Sequence, residues 1–252
     1  NTLNAKRIIY LTDARQKQHF AMLFATLRKA GWVANDVRLE HIPFGAILGK
    51  DNKPFKTRSG ESIKLISLLE EAEGRAEILA QEKNPDLSTD QITQIAHVIG
   101  IGALKYADLR SDKIKDYVFD WEKLLSFEGN TAPYLQNAFV RICAIFRKAK
   151  LTPGEIQHAK IILSTEAEHA LATKILNFAD VIYSVSDNLS LHTLCDYLYD
   201  LASAYHKFYE QCPILSSEDK GIRDSRLLLS ELTARTLHMG LDFLGIKTLA
   251  QM

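Results

Sequence analysis

The hydrophobic pattern of this chain changes once, across a loop-like stretch between His41 and Gly60. Before the stretch, apolar residues form short runs typical of strands, and after it they recur at helical spacing. Cations that lie beside free backbone N–H groups can hold a phosphate, but an ordinary solvated turn uses the same residue types. The residues alone therefore leave both interpretations open. The cations and turn-forming residues of the stretch are Lys50, Lys53, Lys56, Arg58, Gly49, Pro54 and Gly60.

Two apolar runs precede this loop and enclose a helical pattern. Residues 7–12 and 37–42 are predicted strands, and the segment between them predicts a helix that ends near Gly31. This order and size predict a βαβ unit on a parallel sheet. The run at 7–12 is continuous, which is typical of a buried strand. Because one unit cannot bury both faces of a sheet, we expect further strands to precede this chain in its parent protein.

Beyond the loop the pattern predicts helices with identifiable starts. Ser88, with a glutamine three residues later, predicts a capping box. Thr131 is a second predicted N-cap, with Pro133 in the first turn of the helix. Gly100 and Gly102 lie inside a predicted helix, where each costs about 1 kcal/mol relative to alanine. Close packing against another backbone would explain why they are there.

The last hundred or so residues carry no motif with a chemistry of its own. Tyrosines are frequent in the third of the amphipathic segments predicted there. Such residues are most often part of a core, although exposed ones can stack on the unpaired bases of RNA. The amphipathic segments together predict a helical bundle, with helices at residues 156–163, 166–178, 190–209 and 222–243.

Composition places the chain among globular proteins. Apolar residues make up 46% of its 252 residues, and 31 cations balance 31 anions, so we do not expect a general polyanion binder or a DNA partner. No apolar run is long enough to span a bilayer, so we expect no membrane partner. Cys143, Cys195 and Cys212 are odd in number and widely spaced, which favours free thiols in the cytoplasm. The histidines lack metal-ligand spacing, so no metal site is predicted.

Several longer strings resemble one family, and they occur in the correct order. The string Phe-Lys-Thr-Arg-Ser-Gly at residues 55–60, followed by the apolar helix that starts near residue 63, resembles arginyl-tRNA synthetase, a class I family. In that family the string corresponds to a degenerate form of the mobile ATP-binding KMSKS signature. The resemblance covers residues 8–252, and the His-x-Gly-His signature of the family does not occur in the chain. Further matching strings lie at residues 100–109, 117–121, 129–136 and 240–246.

The resemblance implies an activity and its partners. The activity is the ATP-dependent conversion of arginine to arginyl-adenylate, followed by transfer of the arginine to the 3′-terminal ribose of its tRNA. ATP is thus a substrate, with Mg²⁺ bound beside it. The resemblance also implies a set of site residues: Lys56 and Arg58 at the departing pyrophosphate; His19, His41, Phe44, Gly45, Lys53, Lys56 and Thr57 near ATP; Gln16 at arginine; and Tyr205, Tyr209 and Met252 at the anticodon of the tRNA.

We therefore predict a mainly α-helical chain with two domains. Residues 1–118 would be the C-terminal remnant of a Rossmann-like parallel α/β catalytic domain with a helical connector, and residues 119–252 an α-helical-bundle anticodon-binding domain. The parent enzyme is expected to be a monomer, and the chain alone to be inactive because it lacks His-x-Gly-His. The first alternative is a non-catalytic helical module that binds tRNA. The second is a structural helical protein whose lysine-rich loop is merely solvated.

Overall fold

The computed structural model describes residues 4–45, 47–49, 64–112, 115 and 117–252. The described elements are the strands β1 (Arg7–Asp13), β2 (Arg38–Phe44), β3 (Ile47–Leu48) and β4 (Tyr117–Val118), a 3-10 helix at Ala14–Gln16, and the helices α1 (Lys17–Lys29), α2 (Leu65–Lys83), α3 (Thr89–Leu109), α4 (Trp121–Leu124), α5 (Ala132–Ala149), α6 (Glu166–Leu176), α7 (Phe178–Asn188), α8 (Leu191–Gln211) and α9 (Lys220–Phe243). No helix in this described part is long and apolar enough to cross a membrane.

The predicted βαβ unit is confirmed. Strands β1 and β2 are parallel, and their register runs from Arg7 opposite Arg38 to Asp13 opposite Phe44. Helix α1 connects them and buries Phe20, whose ring centroid lies 4.9 Å from that of Tyr10. The two-residue strands β3 and β4 also pair in parallel.

The prediction that β1 is buried is wrong for the described structure. Ile9 is 45% exposed and Leu11 is 65% exposed. Successive side chains of a strand point to opposite faces, and α1 covers the face that carries Tyr10. Among the described residues, the sheet that contains β1 has only two strands. The face with Ile9 and Leu11 therefore remains open.

Helices α2 and α3 form a closely packed antiparallel pair with small residues between them. The capping box at Ser88 is confirmed, because its side chain accepts from the backbone N–H of Gln91 and the Gln91 side chain accepts from the backbone N–H of Ser88. A Cβ atom added at Gly100 would lie 2.8 Å from the carbonyl carbon and oxygen of Ala72. Real Cβ contacts are essentially never that short. The close approach of two backbones therefore explains the glycine.

Helices α5 to α9 enclose the largest hydrophobic core of the described chain. The predicted N-cap of helix α5 is confirmed, because the Thr131 side chain accepts a hydrogen bond from the backbone N–H of Tyr134. Helices α8 and α9 lie within two residues of their predicted ends. The fully buried large side chains of this core include Leu135, Ile142, Leu171, Leu194, Leu198, Leu201, Tyr205, Phe208, Leu227 and Leu229.

The predicted helix at residues 156–163 is wrong. Gly154 has a φ of +94°, and the neighbouring backbone bonds join residues three apart, as from Gln157 N–H to Gly154 O. Further on, the Ser225 hydroxyl accepts from Ile162 N–H at 2.8 Å and donates to Ile162 O at 3.0 Å. The hydrogen-bonding groups of this segment are thus partly satisfied by α9, and a helix of its own is not formed.

The helix predicted at residues 166–178 is confirmed within two residues as α6, and a further helix, α7, follows it directly. Asn177 is the C-cap of the first and the N-cap of the second. The second helix, α7, was not predicted from the sequence.

A buried ion pair ties α6 to α9. Arg226 Nε donates to Glu168 Oε1 at 2.7 Å, and Arg226 Nη1 donates to Pro213 O at 2.8 Å. Burial alone would raise the pKa of Glu168, but hydrogen bonds from Arg226, Ser164 and Thr165 lower that pKa to about 2. The carboxylate thus stays charged inside the bundle because several donors surround it.

Candidate functional site

The carboxyl ends of β1 and β2 lie side by side and carry four of the predicted site residues. Asp13 at the end of β1 is opposite Phe44 at the end of β2, and Gly45 follows directly. Gln16 is the N-cap of α1, forms no side-chain capping bond and is exposed, as is His19 one turn later. Open α/β sheets bind their ligands at this edge. The structure therefore brings Gln16, His19, Phe44 and Gly45 to one ligand-accessible edge.

His41, the fifth predicted residue of this edge, is held from two sides. Its Nε2 lies 2.8 Å from Thr12 Oγ1 on the neighbouring strand, within hydrogen-bonding distance. Its ring stacks on Phe20, with 4.7 Å between ring centroids and 15° between ring planes. A half-buried imidazole fixed in this way can form a wall of a pocket without large rearrangement.

An ion pair at the turn after β1 was missed from the sequence. Arg15 donates from Nε and Nη2 to the Asp13 carboxylate at 2.9 and 2.8 Å, and its backbone N–H donates at 2.8 Å. These bonds lower the pKa of Asp13 to about 2. The carboxylate is therefore charged at neutral pH and fixes the turn that leads to Gln16. An aspartate directly before a helix start was the available signal.

The predicted phosphate-binding residues Lys53, Lys56, Thr57 and Arg58 lie outside the described residues, as does Lys50. Their placement at this edge stays a prediction. Across the part of the chain that is described, no three acidic, histidine or cysteine side chains come together as a metal site.

On the helical bundle, Tyr209 presents an aromatic ring to solvent. It is 40% exposed, and the Arg141 guanidinium carbon lies 5.6 Å from the centroid of its ring. Tyr205, one turn earlier, is fully buried, and its hydroxyl donates to Ser230 Oγ at 3.4 Å. Base stacking needs an accessible ring face. The burial therefore favours the core interpretation for Tyr205, and a stacking role is compatible with Tyr209.

Arg141 is a candidate that the sequence analysis did not select. A cation beside an exposed tyrosine suits a surface that contacts both bases and phosphates. Arg141 on α5 and Tyr209 on α8 are 68 residues apart, so their spacing in the sequence did not indicate that they are neighbours.

Met252, the third predicted anticodon contact, is half-buried and packs with Leu249 against the hydrophobic cluster of α2, α3 and α4.

Both the N-terminal and the C-terminal part of the chain match known protein families. Residues 1–121 match the catalytic domain of class I tRNA synthetases of the arginine type, and residues 135–252 match the DALR anticodon binding domain. The arginine–tRNA ligases of Shigella dysenteriae serotype 1 and Escherichia coli O139:H28 are each 49% identical to the chain over 251 residues. The chain belongs to the arginyl-tRNA synthetase family. It spans 44% of the length of these relatives, and they match 100% of the chain.

Solved structures of the same family have the same fold. Arginyl-tRNA synthetase from Plasmodium falciparum superposes with a TM-score of 0.86 at 31% identity, over 100% of this chain and 42% of that structure. The enzyme from Thermus thermophilus superposes with a TM-score of 0.85 at 30% identity, over 98% of this chain and 41% of that structure. The predicted fold class, a parallel α/β remnant followed by a helical anticodon-binding domain, is confirmed.

Proposed function

We propose that this chain supplies a nucleotide-binding edge and the anticodon-binding bundle of an arginine–tRNA ligase. The ligase would activate arginine with ATP to arginyl-adenylate and transfer the arginine to the 3′-terminal ribose of its tRNA. One observation carries the proposal: a synthetase catalytic-domain match and an anticodon-domain match follow each other on a chain that aligns along its whole length with arginine–tRNA ligases.

The strand ends are proposed to hold the two small substrates. Gln16 contacts arginine, because its exposed amide can both donate and accept at the sheet edge. His19, His41, Phe44 and Gly45 surround ATP, with His41 held in place by Thr12 and Phe20. Phe44 is 48% exposed, so its ring is available to pack against a flat ligand such as adenine.

The lysine-rich loop is proposed to act on the phosphates. Lys56 and Arg58 stabilise the charge of the departing pyrophosphate, and Lys53 and Thr57 contact ATP together with Lys56. Fixed cations aimed at developing negative charge account for most of the catalysis in such reactions. Mg²⁺ would accompany the nucleotide and share this charge stabilisation.

Tyr209 and Met252 are proposed to contact the anticodon of the arginine tRNA, with Arg141 beside Tyr209. Tyr205 supports that surface from within the core.

The open apolar face of β1 is proposed to pack against the part of the ligase that this chain does not span. We further propose that the intact ligase is a cytoplasmic monomer, in keeping with three free thiols in the chain.

A non-catalytic tRNA-binding module is the second candidate function. It is favoured by one observation, that the residues matching the anticodon binding domain, 135–252, lie within a bundle that encloses its own core. The coding region upstream separates the two candidates. An open reading frame that continues upstream and encodes His-x-Gly-His supports the ligase, and a start codon directly before this chain supports the module.

Filter binding of this chain to arginine tRNA tests the proposed bundle surface. We expect Tyr209→Ala to weaken binding by about 1–3 kcal/mol, because a stacked base contact is lost. The matched control is Tyr183→Ala, since Tyr183 is 81% exposed and lies on α7. An arginine tRNA with an altered anticodon loop should bind as weakly to the unchanged chain as the normal tRNA binds to Tyr209→Ala. Equal binding in all of these combinations would contradict the proposed anticodon contact.

A further inference from the structure

Residues 245–252 follow α9 and connect the core of the bundle to the hydrophobic cluster of α2, α3 and α4. Ile246 is buried in the core of the bundle, whereas Leu249 and Met252 pack against the α2–α4 cluster. These residues, here called the strap, lie in no helix or strand. Side chains of other elements must therefore determine the path of the strap.

Three donors from α3 and α5 are spaced along the strap, and each binds a carbonyl oxygen of its backbone. Because the acceptors are backbone atoms, these bonds hold the strap irrespective of the side chains that it carries. Two of the donors are cationic, and hydrogen bonds from charged donors are the stronger ones. On α9, His238 Nδ1 lies 2.8 Å from Thr248 Oγ1. The three bonds run from Lys105 Nζ to Gly245 O at 2.6 Å, from Gln136 Nε2 to Lys247 O at 2.8 Å and from Arg147 Nη1 to Ala250 O at 2.7 Å.

Gly102 in α3 makes room for one of these donors. A Cβ atom added there would lie 3.0 Å from Gln136 Nε2 and 3.1 Å from Ile246 Cγ2, which is tighter than nine in ten real Cβ contacts. Gln136 is fully buried, and its Nε2 also donates to Val98 O at 3.3 Å. The nearest neighbours of Gly102 are thus side chains and not the second backbone expected from the sequence. The cost of a glycine in the helix is offset by the space that it leaves for the amide that binds the strap.

We propose that Lys105, Gln136 and Arg147 are positioning residues, which hold the strap so that Met252 faces the anticodon of the tRNA. This inference rests on the anticodon contact proposed above for Met252. The residue is half-buried, so packing against the α2–α4 cluster orients it and still leaves part of it accessible. A segment without helix or strand would otherwise have to be ordered when the tRNA binds, and fixing it in advance removes that cost.

Methionine methyl NMR of the full chain tests whether the strap is held in this way. The chain contains three methionines, Met22, Met239 and Met252, so ¹³C labelling of their methyl groups gives few signals, and Met252→Leu identifies the signal of interest. We expect Arg147→Gln to move the Met252 signal toward the position of a solvated methionine. The signal of Met22, which lies in α1, should stay unchanged.

Two further variants and a control show that the hydrogen bond, not the charge, is responsible. Lys148→Gln is the matched control, because Lys148 is the adjacent exposed cation on α5 and lines the cleft beside Lys220 instead of contacting the strap. It should leave the Met252 signal in place. Arg147→Lys keeps a cationic donor and should restore the signal at least in part. Gly102→Ala alters no charge, and by crowding Gln136 it should move the signal as Arg147→Gln does.

Filter binding of the same variants to arginine tRNA connects the strap to the proposed function. We expect Arg147→Gln to weaken binding by about two- to tenfold, which corresponds to ordering one side chain on binding. In a chain that carries Met252→Ala, the same replacement should have no further effect, because the residue that it positions is absent. A direct contact of Arg147 with a phosphate would instead weaken binding equally in both backgrounds.

Two results would overturn the positioning role. One is a Met252 signal that stays in place in both Arg147→Gln and Gly102→Ala, and the other is equal weakening by Arg147→Gln with and without the Met252 side chain. Failure of the proposed function is recognised separately, since Met252→Ala would then leave tRNA binding unchanged and the anticodon contact of Met252 would be withdrawn. A shifted Met252 signal, together with weakening that depends on Met252, would support the inference.

Discussion

The helical bundle and the β1–β2 sheet bury their apolar residues to very different extents. Leu198 and Leu201 in α8 are fully buried, because helices on several sides close the core around them. Ile9 and Leu11 in β1 are of the same residue class and are 45% and 65% exposed. Both regions carry sequence suited to burial, but the described residues complete the burial only in the bundle. The difference indicates that the bundle closes its own core, whereas the sheet presents an apolar surface for further polypeptide.

The largest expected effect concerns the ion pair inside the bundle. Replacing Arg226 by methionine leaves Glu168 buried without its cation, and such a loss costs about 3–5 kcal/mol. Urea unfolding followed by circular dichroism measures it. Arg223→Met is the matched control, because Arg223 lies 3.9 Å from Asp224 and is partly exposed, so its pair contributes about 1 kcal/mol or less. Similar losses in both variants would mean that the buried pair does not hold the bundle together.

The pH dependence of the free energy of unfolding provides a second test of the Glu168–Arg226 pair. The pKa of Glu168 is lowered from its ordinary value of 4.5 to about 2 in the folded chain. A lowered carboxyl pKa contributes stability above pH 4.5, and this contribution is lost as the pH falls toward 2. The stability difference between the unchanged chain and Arg226→Met should therefore shrink below pH 4.5. A difference that stays constant down to pH 2 would assign the loss to packing instead.

A smaller effect is expected where α2 meets α3, between the two regions. Gly100→Ala forces a Cβ atom against the Ala72 backbone and should destabilise the chain by about 1–3 kcal/mol. Gly74→Ala in α2 is the control, since an added Cβ there meets nothing within 4 Å. That variant should instead gain up to about 1 kcal/mol from helix propensity. Thermal unfolding of both variants distinguishes crowding from propensity, and a gain in both would show that the helices can move apart.

The same comparison explains how much of the fold could be predicted from the sequence. Local signals predicted the features whose cause is local: the Ser88 capping box and the Thr131 N-cap are both present in the structure. Predictions failed where a residue distant in sequence determines the local backbone conformation. The segment at residues 156–163 is apolar and periodic, but Ser225, about sixty residues later, satisfies the backbone of Ile162. A single sequence does not show such a contact.

The candidate site was predictable to a similar degree. Strand order alone places Gln16 and His19 at the same edge as Phe44, because the ends of parallel strands are adjacent. Accessibility on the bundle was not predictable in this way. Tyr205 and Tyr209 are four residues apart on α8, yet one is fully buried and the other is 40% exposed. Which of two neighbouring tyrosines faces solvent depends on how α8 packs against α5 and α9.

The smallest effect is expected on the open face of the sheet. Leu11→Lys should change the free energy of unfolding of this chain by no more than about 0.5 kcal/mol, since 65% of Leu11 is already exposed. Leu198→Ala in the bundle core should cost about 2–5 kcal/mol and serves as the contrast. Chemical unfolding gives both values. If Leu11→Lys destabilised the chain as much as Leu198→Ala, some part of the chain beyond the described residues would have to cover β1. If the effect is small, sedimentation of Leu11→Lys and of the unchanged chain distinguishes two explanations. Weaker self-association of Leu11→Lys would identify the open face as a contact surface. Equal sedimentation of the two chains would identify β1 as a solvated strand.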